Sequence, residues 1–174
     1  MEFTFDTVYD QRAVTAMARG LRKTIRKKRS RRSHIFGWSV ILLILLLTVP
    51  TGGEALVVEG RTIITWGAGV MILVALLFED KLNAWFARRR MMAGTDRAVS
   101  VFTEENYCSE TTAGKTQWRY DTIRHIAEDK NYFVFIFDLR YAQVYDKRTL
   151  SGGNVEAFRT FISQKTEKEI QRIG

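Results

Sequence analysis

The side chains able to do covalent or acid–base work are few and poorly spaced for it. Ala113-Gly114-Lys115-Thr116 ends like a phosphate-binding loop. That loop needs a glycine five positions before Gly114, where Ser109 stands, and a helix after it, where Trp118 and Tyr120 point to strand. His34 and His125 have no cysteine or carboxylate at ligand spacing on a shared helical face, so no metal set forms along the chain. Glu128 and Asp129 are neighbours and project to opposite sides of a strand, which keeps the two carboxylates off one substrate. Cys108, the single cysteine, has no nearby histidine to activate it and reads as a small packed or half-exposed strand residue. It also leaves no intrachain disulfide, which fits a reducing compartment. With no nucleophile elbow, paired-acid motif or glycine-rich dinucleotide turn, the expectation is a non-enzymatic protein without cofactor or metal.

The remaining chemistry is cationic. The chain has 174 residues and a net charge of +8, yet residues 98–174 carry 11 basic against 11 acidic side chains, so the whole excess lies in the first 97 positions. A basic stripe beside apolar segments points to an anionic membrane surface rather than to nucleic acid. Arg22, Lys23, Arg26, Lys27 and Lys28 are the first candidates for lipid or partner binding, together with Lys147 and Arg148 in a later turn. The apolar positions Val14, Met17, Leu21 and Ile25 recur every three or four residues among the basic ones. Residues 1–33 are therefore read as a short strand, Glu2 to Phe5, and a basic amphipathic helix from Val8, capped by Asp6 or Thr7 and bedded on an anionic leaflet.

Two charge-free stretches organise the rest, Ile35 to Val49 and Thr62 to Phe78, within a hairpin unit at residues 34–92. As helices of fifteen to seventeen residues they extend about 23 to 26 Å, somewhat less than the roughly 30 Å hydrocarbon core. Arg31, Arg32 and Arg61 have long stems that can reach the headgroups, and Trp38, Trp66 and Trp85 fall near the expected interfaces. Each stretch is apolar on every face, which so small a soluble domain could hardly cover. Nine basic residues from Arg19 to Arg32 precede the first stretch, and Lys81, Arg88, Arg89, Arg90 and Arg97 follow the second. The connection Pro50 to Arg61 holds one arginine against Glu54 and Glu59. The positive-inside rule places both termini in the cytoplasm and the connection outside. Pro50, Gly52 and Gly53 break the first helix. Leu82, Trp85 and Phe86 with Arg88 to Arg90 suggest that the second helix emerges and skims the inner surface, with Gly94 as its stop. Gly67 and Gly69 are the candidates for close approach of the two helices, which contain no ionisable residue.

From Ala98 the apolar period changes to two. Strands are expected at Ala98 to Phe102, Tyr107 to Thr111, Thr116 to Tyr120, Ile123 to Ala127, Tyr132 to Phe137 and Tyr141 to Tyr145. A helix follows, capped by Asn154, with Val155, Phe158, Phe161 and Ile162 on its buried face and with Trp118 and Tyr120 in the core. Residues 98–174 are thus an α+β unit, a small antiparallel β-barrel or sandwich closed by a C-terminal helix in the manner of pleckstrin-homology (PH) domains. The Glu2 to Phe5 strand is available to complete its sheet.

The stretch Tyr120 to Lys165 carries aromatic-x-x-Ile-x-x-Ile-x-Glu (Tyr120, Ile123, Ile126, Glu128), then Tyr132, Phe133 and Phe135, then Asp146-Lys147-Arg148, then Phe158 and Phe161. This pattern resembles the YcxB-like proteins, bacterial membrane proteins with two spans and a cytoplasmic PH-like domain. Many members carry Pro-Lys-Arg where this chain has Asp146-Lys147-Arg148. The resemblance implies a multi-pass bacterial cell-membrane protein with its PH-like domain in the cytoplasm, and implies no reaction. The expected function is a membrane-anchored adaptor or self-assembling scaffold that offers a sheet edge or loop to a protein partner or to copies of itself. An anionic-lipid sensor is the alternative, and an accessory subunit of an exporter or resistance system a third.

Overall fold

A computed structural model of the chain describes residues 2–48 and 60–173. The expected extracellular connection, with Pro50, Gly52, Gly53, Glu54 and Glu59, lies outside the described residues. Strand β1 (Phe3–Val8) leads into helices α1 (Gln11–Lys23), α2 (Lys27–Thr48), α3 (Gly60–Leu77) and α4 (Glu79–Arg89). Then come β2 (Arg97–Phe102), β3 (Tyr107–Thr111), β4 (Gly114–Trp118), β5 (His125–Glu128), β6 (Tyr132–Ile136) and β7 (Ala142–Asp146). Helix α5 (Val155–Thr166) and strand β8 (Ile170–Arg172) close the chain.

The helix α2 is longer than its apolar stretch. It takes in the basic turn from Lys27 and reaches 22 residues, about 33 Å, while α3 has 18 residues, about 27 Å. Both are long and apolar enough to cross a membrane, and α3 buries no residue. They touch each other at Gly37, where a β-carbon would meet the Leu76 side chain at 2.8 Å. Of the two glycines expected there, Gly69 makes ordinary contact with Ile44, and Gly67 has open space around it. Glycine is needed where a bulky leucine faces it, and Leu76 faces Gly37.

The eight strands form two four-stranded sheets, ordered β1-β2-β3-β4 and β7-β6-β5-β8. Of the two forms expected, barrel or sandwich, the barrel does not close. The chain passes from β4 to β5 through a 3₁₀ turn at Tyr120–Thr122, so the two strands do not pair, and the predicted strands Thr116 to Tyr120 and Ile123 to Ala127 lose their adjoining ends. Nor is the pairing wholly antiparallel, because β8 runs parallel beside β5, with Ile126 opposite Ile170. As expected, the N-terminal strand completes a sheet, pairing along its length with β2 from Phe3↔Phe102 to Val8↔Arg97. It runs on to Val8, so the cap of α1 is Asp10, whose side chain accepts from the Ala13 N–H at 2.7 Å, rather than Asp6 or Thr7.

Strand β6, Tyr132-Phe133-Val134-Phe135-Ile136, is buried at every position because it is covered on both sides. Phe133 and Phe135 point into an aromatic core with Phe3, Phe5, Phe102 and Tyr145, which α5 caps through Phe158, Phe161 and Ile162. Tyr132, Val134 and Ile136 point the other way, into a second cluster against Ala13, Ala16 and Leu21 of α1. The layers are therefore the first sheet with α5, the second sheet, and then α1 with α4. Gly20 allows this closeness, since a β-carbon there would lie 2.9 Å from Val134 Cγ1. The C-terminal helix follows expectation, the Asn154 side chain accepting from the Ala157 N–H at 2.7 Å.

Candidate interaction site

The seven basic candidates fall in separate places, and five of them are held by the protein itself. The apolar face of α1, expected on lipid, lies instead on β6 and β7, which turns its cations toward protein acceptors. Arg22 donates through Nε and Nη2 to the two carboxylate oxygens of Asp80 at 2.6 and 2.7 Å, with Glu79 3.8 Å away. Lys23 Nζ donates to the Ile173 carbonyl at 2.7 Å, and Arg26 Nε to the Leu139 carbonyl at 2.7 Å. The basic helix is also broken at Thr24 to Arg26. Only Lys27 and Lys28 stay exposed, on the first turn of α2, without an ion pair among the described residues.

The Asp146-Lys147-Arg148 turn is likewise occupied. Burial pushes the Asp146 carboxyl up, but the hydrogen bonds it accepts from the Arg148 guanidinium and from the Arg148 backbone N–H at 3.0 Å, with the charge of that side chain, together hold it below the usual range. Lys147 donates to Glu128 and to the Asp129 carbonyl at 2.5 Å, and lies 4.8 Å from the Phe133 ring centre. Glu128, 5 % exposed at the end of β5, also accepts from Arg159 of α5 at 2.7 and 3.0 Å. Burial pushes the Glu128 pKa up, but the hydrogen bonds from Arg159 and Lys147 bring it below the ordinary carboxylate value. One sequestered anion thus fastens β5, the turn and α5 together. A second polar node joins the helices: Ser30 Oγ donates to Glu79 at 3.1 Å and His34 Nε2 lies 2.8 Å from the same carboxylate. The acidic partners were visible in the sequence, but Asp80 is 58 positions from Arg22, and no local period links them.

The least covered part of the two sheets is β4. All its residues but Trp118 are exposed, and its outer edge meets no strand and makes no backbone hydrogen bond among the described residues. The other edges each contact a neighbouring segment. Thr4 of β1 exchanges backbone bonds with Ser151 at 2.9 and 3.0 Å, Thr7 Oγ1 of β1 accepts from the Asp146 N–H of β7 at 3.1 Å, and Gln171 of β8 donates to the Lys23 carbonyl at 3.4 Å. Thr111 and Gly114 flank a two-residue turn and pair directly. In such a hairpin the flanking pair exchanges the ladder bonds, so Lys115 and Gln117 turn their backbone groups outward.

Beside this edge is a cleft of about 390 Å³ between α1, the end of α4 and strands β3, β4 and β7. Val14, Met17, Met91 and Met92 supply an apolar lining, and the exposed Arg140 stands at its rim with no ion-pair partner among the described residues. Gln143 in the lining accepts from Tyr145 at 2.6 Å and from Tyr107 at 3.3 Å, and donates to Tyr141 at 3.2 Å. Burial raises the phenols of Tyr107 and Tyr145 well above their ordinary value and pushes Tyr9, also in the lining, up to about 12. All three therefore stay neutral, and Tyr107 and Tyr145 act as donors to Gln143. Tyr141 stacks on Trp118 with ring centres 5.6 Å apart, and the Trp118 indole N–H has no acceptor among the described residues. A flexible methionine lining, a polar chain reaching the rim and an open strand edge suit an extended peptide better than a reacting small molecule.

Residues 102–162 match the family model described as YcxB-like protein, a stretch that runs from the end of β2 to Ile162 in α5. No curated protein and no solved structure matches the chain.

Proposed function

From a chain that is YcxB-like over residues 102–162, we propose a non-enzymatic, membrane-anchored adaptor of the bacterial cell membrane whose cytoplasmic PH-like domain takes up a strand from a protein partner. In this reading α2 and α3 cross the bilayer, both termini are cytoplasmic, and the polar node at Glu79 and Asp80 holds the domain to the hairpin in one orientation. The observation that carries it is the uncovered outer edge of β4 beside the methionine-lined cleft. A fifth strand on that edge bonds to the outward backbone groups of Lys115 and Gln117 and places an apolar side chain in the cleft.

Substitution Gln117→Pro tests it, because proline at an edge position removes an outward N–H and leaves the β3–β4 ladder intact. The full-length chain, extracted gently from its own membrane, is weighed by native mass spectrometry. The expected result is a discrete complex, homo- or hetero-oligomeric, that Gln117→Pro dissociates while the Gln117→Ala control keeps it. A wild-type monomer carrying only stoichiometric anionic lipid overturns the adaptor and supports the lipid sensor, for which Lys27 and Lys28 remain of the N-terminal candidates, with Arg29, Arg31 and Arg32 exposed beside them.

A further inference from the structure

The helix α4 is turned inside out by the standard of a soluble protein. Its one buried residue is Ala84, set against α1, while Trp85 and Phe86 are 42 % and 53 % exposed. Two adjacent large aromatics outside and an alanine inside leave most of the helix's apolar surface uncovered, which single scattered residues would not do. The two rings meet edge to face at 4.9 Å, and Phe78, seven residues before Trp85, is exposed as well. The cations of this helix accompany the rings: the Arg89 guanidinium stands 3.9 Å from the Trp85 ring centre, and Lys81 Nζ 5.4 Å from that of Phe78. Lys81, Arg88, Arg89 and Arg90 are exposed and form no ion pair among the described residues.

We infer that the outer face of α4 docks into the anionic headgroup layer of the inner leaflet, with Trp85 and Phe86 inserted and Arg88, Arg89 and Arg90 at the phosphate level. The inference rests on the membrane reading above and replaces α1 by α4 as the lipid-facing helix. Three observations choose this occupant. Only Phe78 separates α4 from the span-length α3, so its first turn is held at the bilayer boundary whatever else it touches. The surface combines tryptophan, phenylalanine and arginine, the residues that favour the boundary between hydrocarbon and headgroup. Its charge is wholly positive after the first turn, and Lys27, Lys28, Arg29, Arg31 and Arg32 on the neighbouring α2 share that sign, which opposes a second copy of the same face and favours anionic lipid.

The full-length chain with Cys108→Ser is reconstituted into vesicles of phosphatidylglycerol and phosphatidylcholine, and into phosphatidylcholine alone. It carries a spin label at one introduced cysteine: Phe86→Cys on α4, Met71→Cys in α3, or Glu105→Cys in the acidic turn before β3. Collision with oxygen and with a water-soluble nickel chelate reports depth. The expected result is a label at 86 shielded from nickel in the anionic vesicles, more exposed in neutral ones, and exposed again when Arg88, Arg89 and Arg90 become glutamine. The docked-to-undocked ratio should fall about fivefold for each cation removed. Nickel access at 86 equal to that at 105, with the label at 71 still shielded, overturns docking and leaves the spans standing. Access at all three positions overturns the spans themselves. Strong dipolar coupling between labels at 86 overturns the lipid assignment in favour of a second copy.

Discussion

Arg22 of α1 grips Asp80 of α4 through two parallel hydrogen bonds of 2.6 and 2.7 Å, so a residue before the first long helix is fastened to one just after the second. The pair is partly shielded, with Asp80 12 % and Arg22 28 % exposed in their side chains. Together with the Glu79 node it fixes how the two-sheet unit sits on the hairpin.

Arg22→Gln should therefore lower stability by about 1 to 2 kcal/mol, as expected for charge-assisted bonds that are only partly buried. Arg22→Lys should recover only part of this, because an ammonium cannot make the paired geometry. Thermal unfolding of the detergent-solubilised chain, followed by near-ultraviolet circular dichroism, measures it. Full recovery by lysine would show that only the charge matters.

Acid should loosen the α5 clasp. The folded pKa of Glu128, and that of Asp146, lie below the unfolded carboxylate values. Their contribution is therefore fully present above about pH 4.5 and is lost as pH falls through the folded values. Stability should be level from about pH 7 to 5 with respect to these groups and decline below about pH 4. Glu128→Gln should flatten that decline while costing about 3 kcal/mol at neutral pH, since Lys147 and Arg159 are left beside a neutral group. A pH series of thermal midpoints on both proteins decides it; an unchanged acid limb in the variant rejects the assignment to Glu128.

Gly20→Ala should be destabilising although alanine is the better helix former by about 1 kcal/mol. The new methyl would press on the stiff, β-branched Val134 at 2.9 Å, and overpacking of this kind costs about 1 to 3 kcal/mol. Pairing it with Val134→Ala should restore part of the loss. Chemical denaturation of the single and double variants reads the coupling, and additive effects would mean that α1 does not rest on β6 through this contact.

The charge asymmetry predicts which side the hairpin connection faces. With Cys108→Ser as background, a cysteine placed at Ala55 should react in intact cells with a membrane-impermeant maleimide, whereas one at Thr160 should react only after lysis. The reverse pattern would invert the orientation.

Much of the architecture was legible one segment at a time. The two apolar helices, the strand at Tyr107 to Thr111, the Asn154 cap and the face Phe158, Phe161 and Ile162 each follow from a pattern within about a dozen residues, because periodicity and capping are local physics. The addition of β1 to the later sheet could be anticipated from its alternating residues. The acidic partners of the cations could not. Arg22 with Asp80 and Lys147 with Glu128 are meetings across the fold, and a basic residue looks the same in sequence whether it faces phosphate or a carboxylate.

By itself, then, the sequence determined the two span-length helices, most of the strands and the closing helix, together with the concentration of positive charge around those spans and the absence of a familiar catalytic pattern, all of which depend on residue type and short spacing. The tertiary structure alone decided which faces remain available. It placed the apolar side of α1 on Val134 and turned Trp85 and Phe86 of α4 outward. It split the strands into two sheets and left β4 as the uncovered edge. The reason is that burial is a competition among all the apolar faces of the chain for one another, and its outcome depends on which of them the topology brings together.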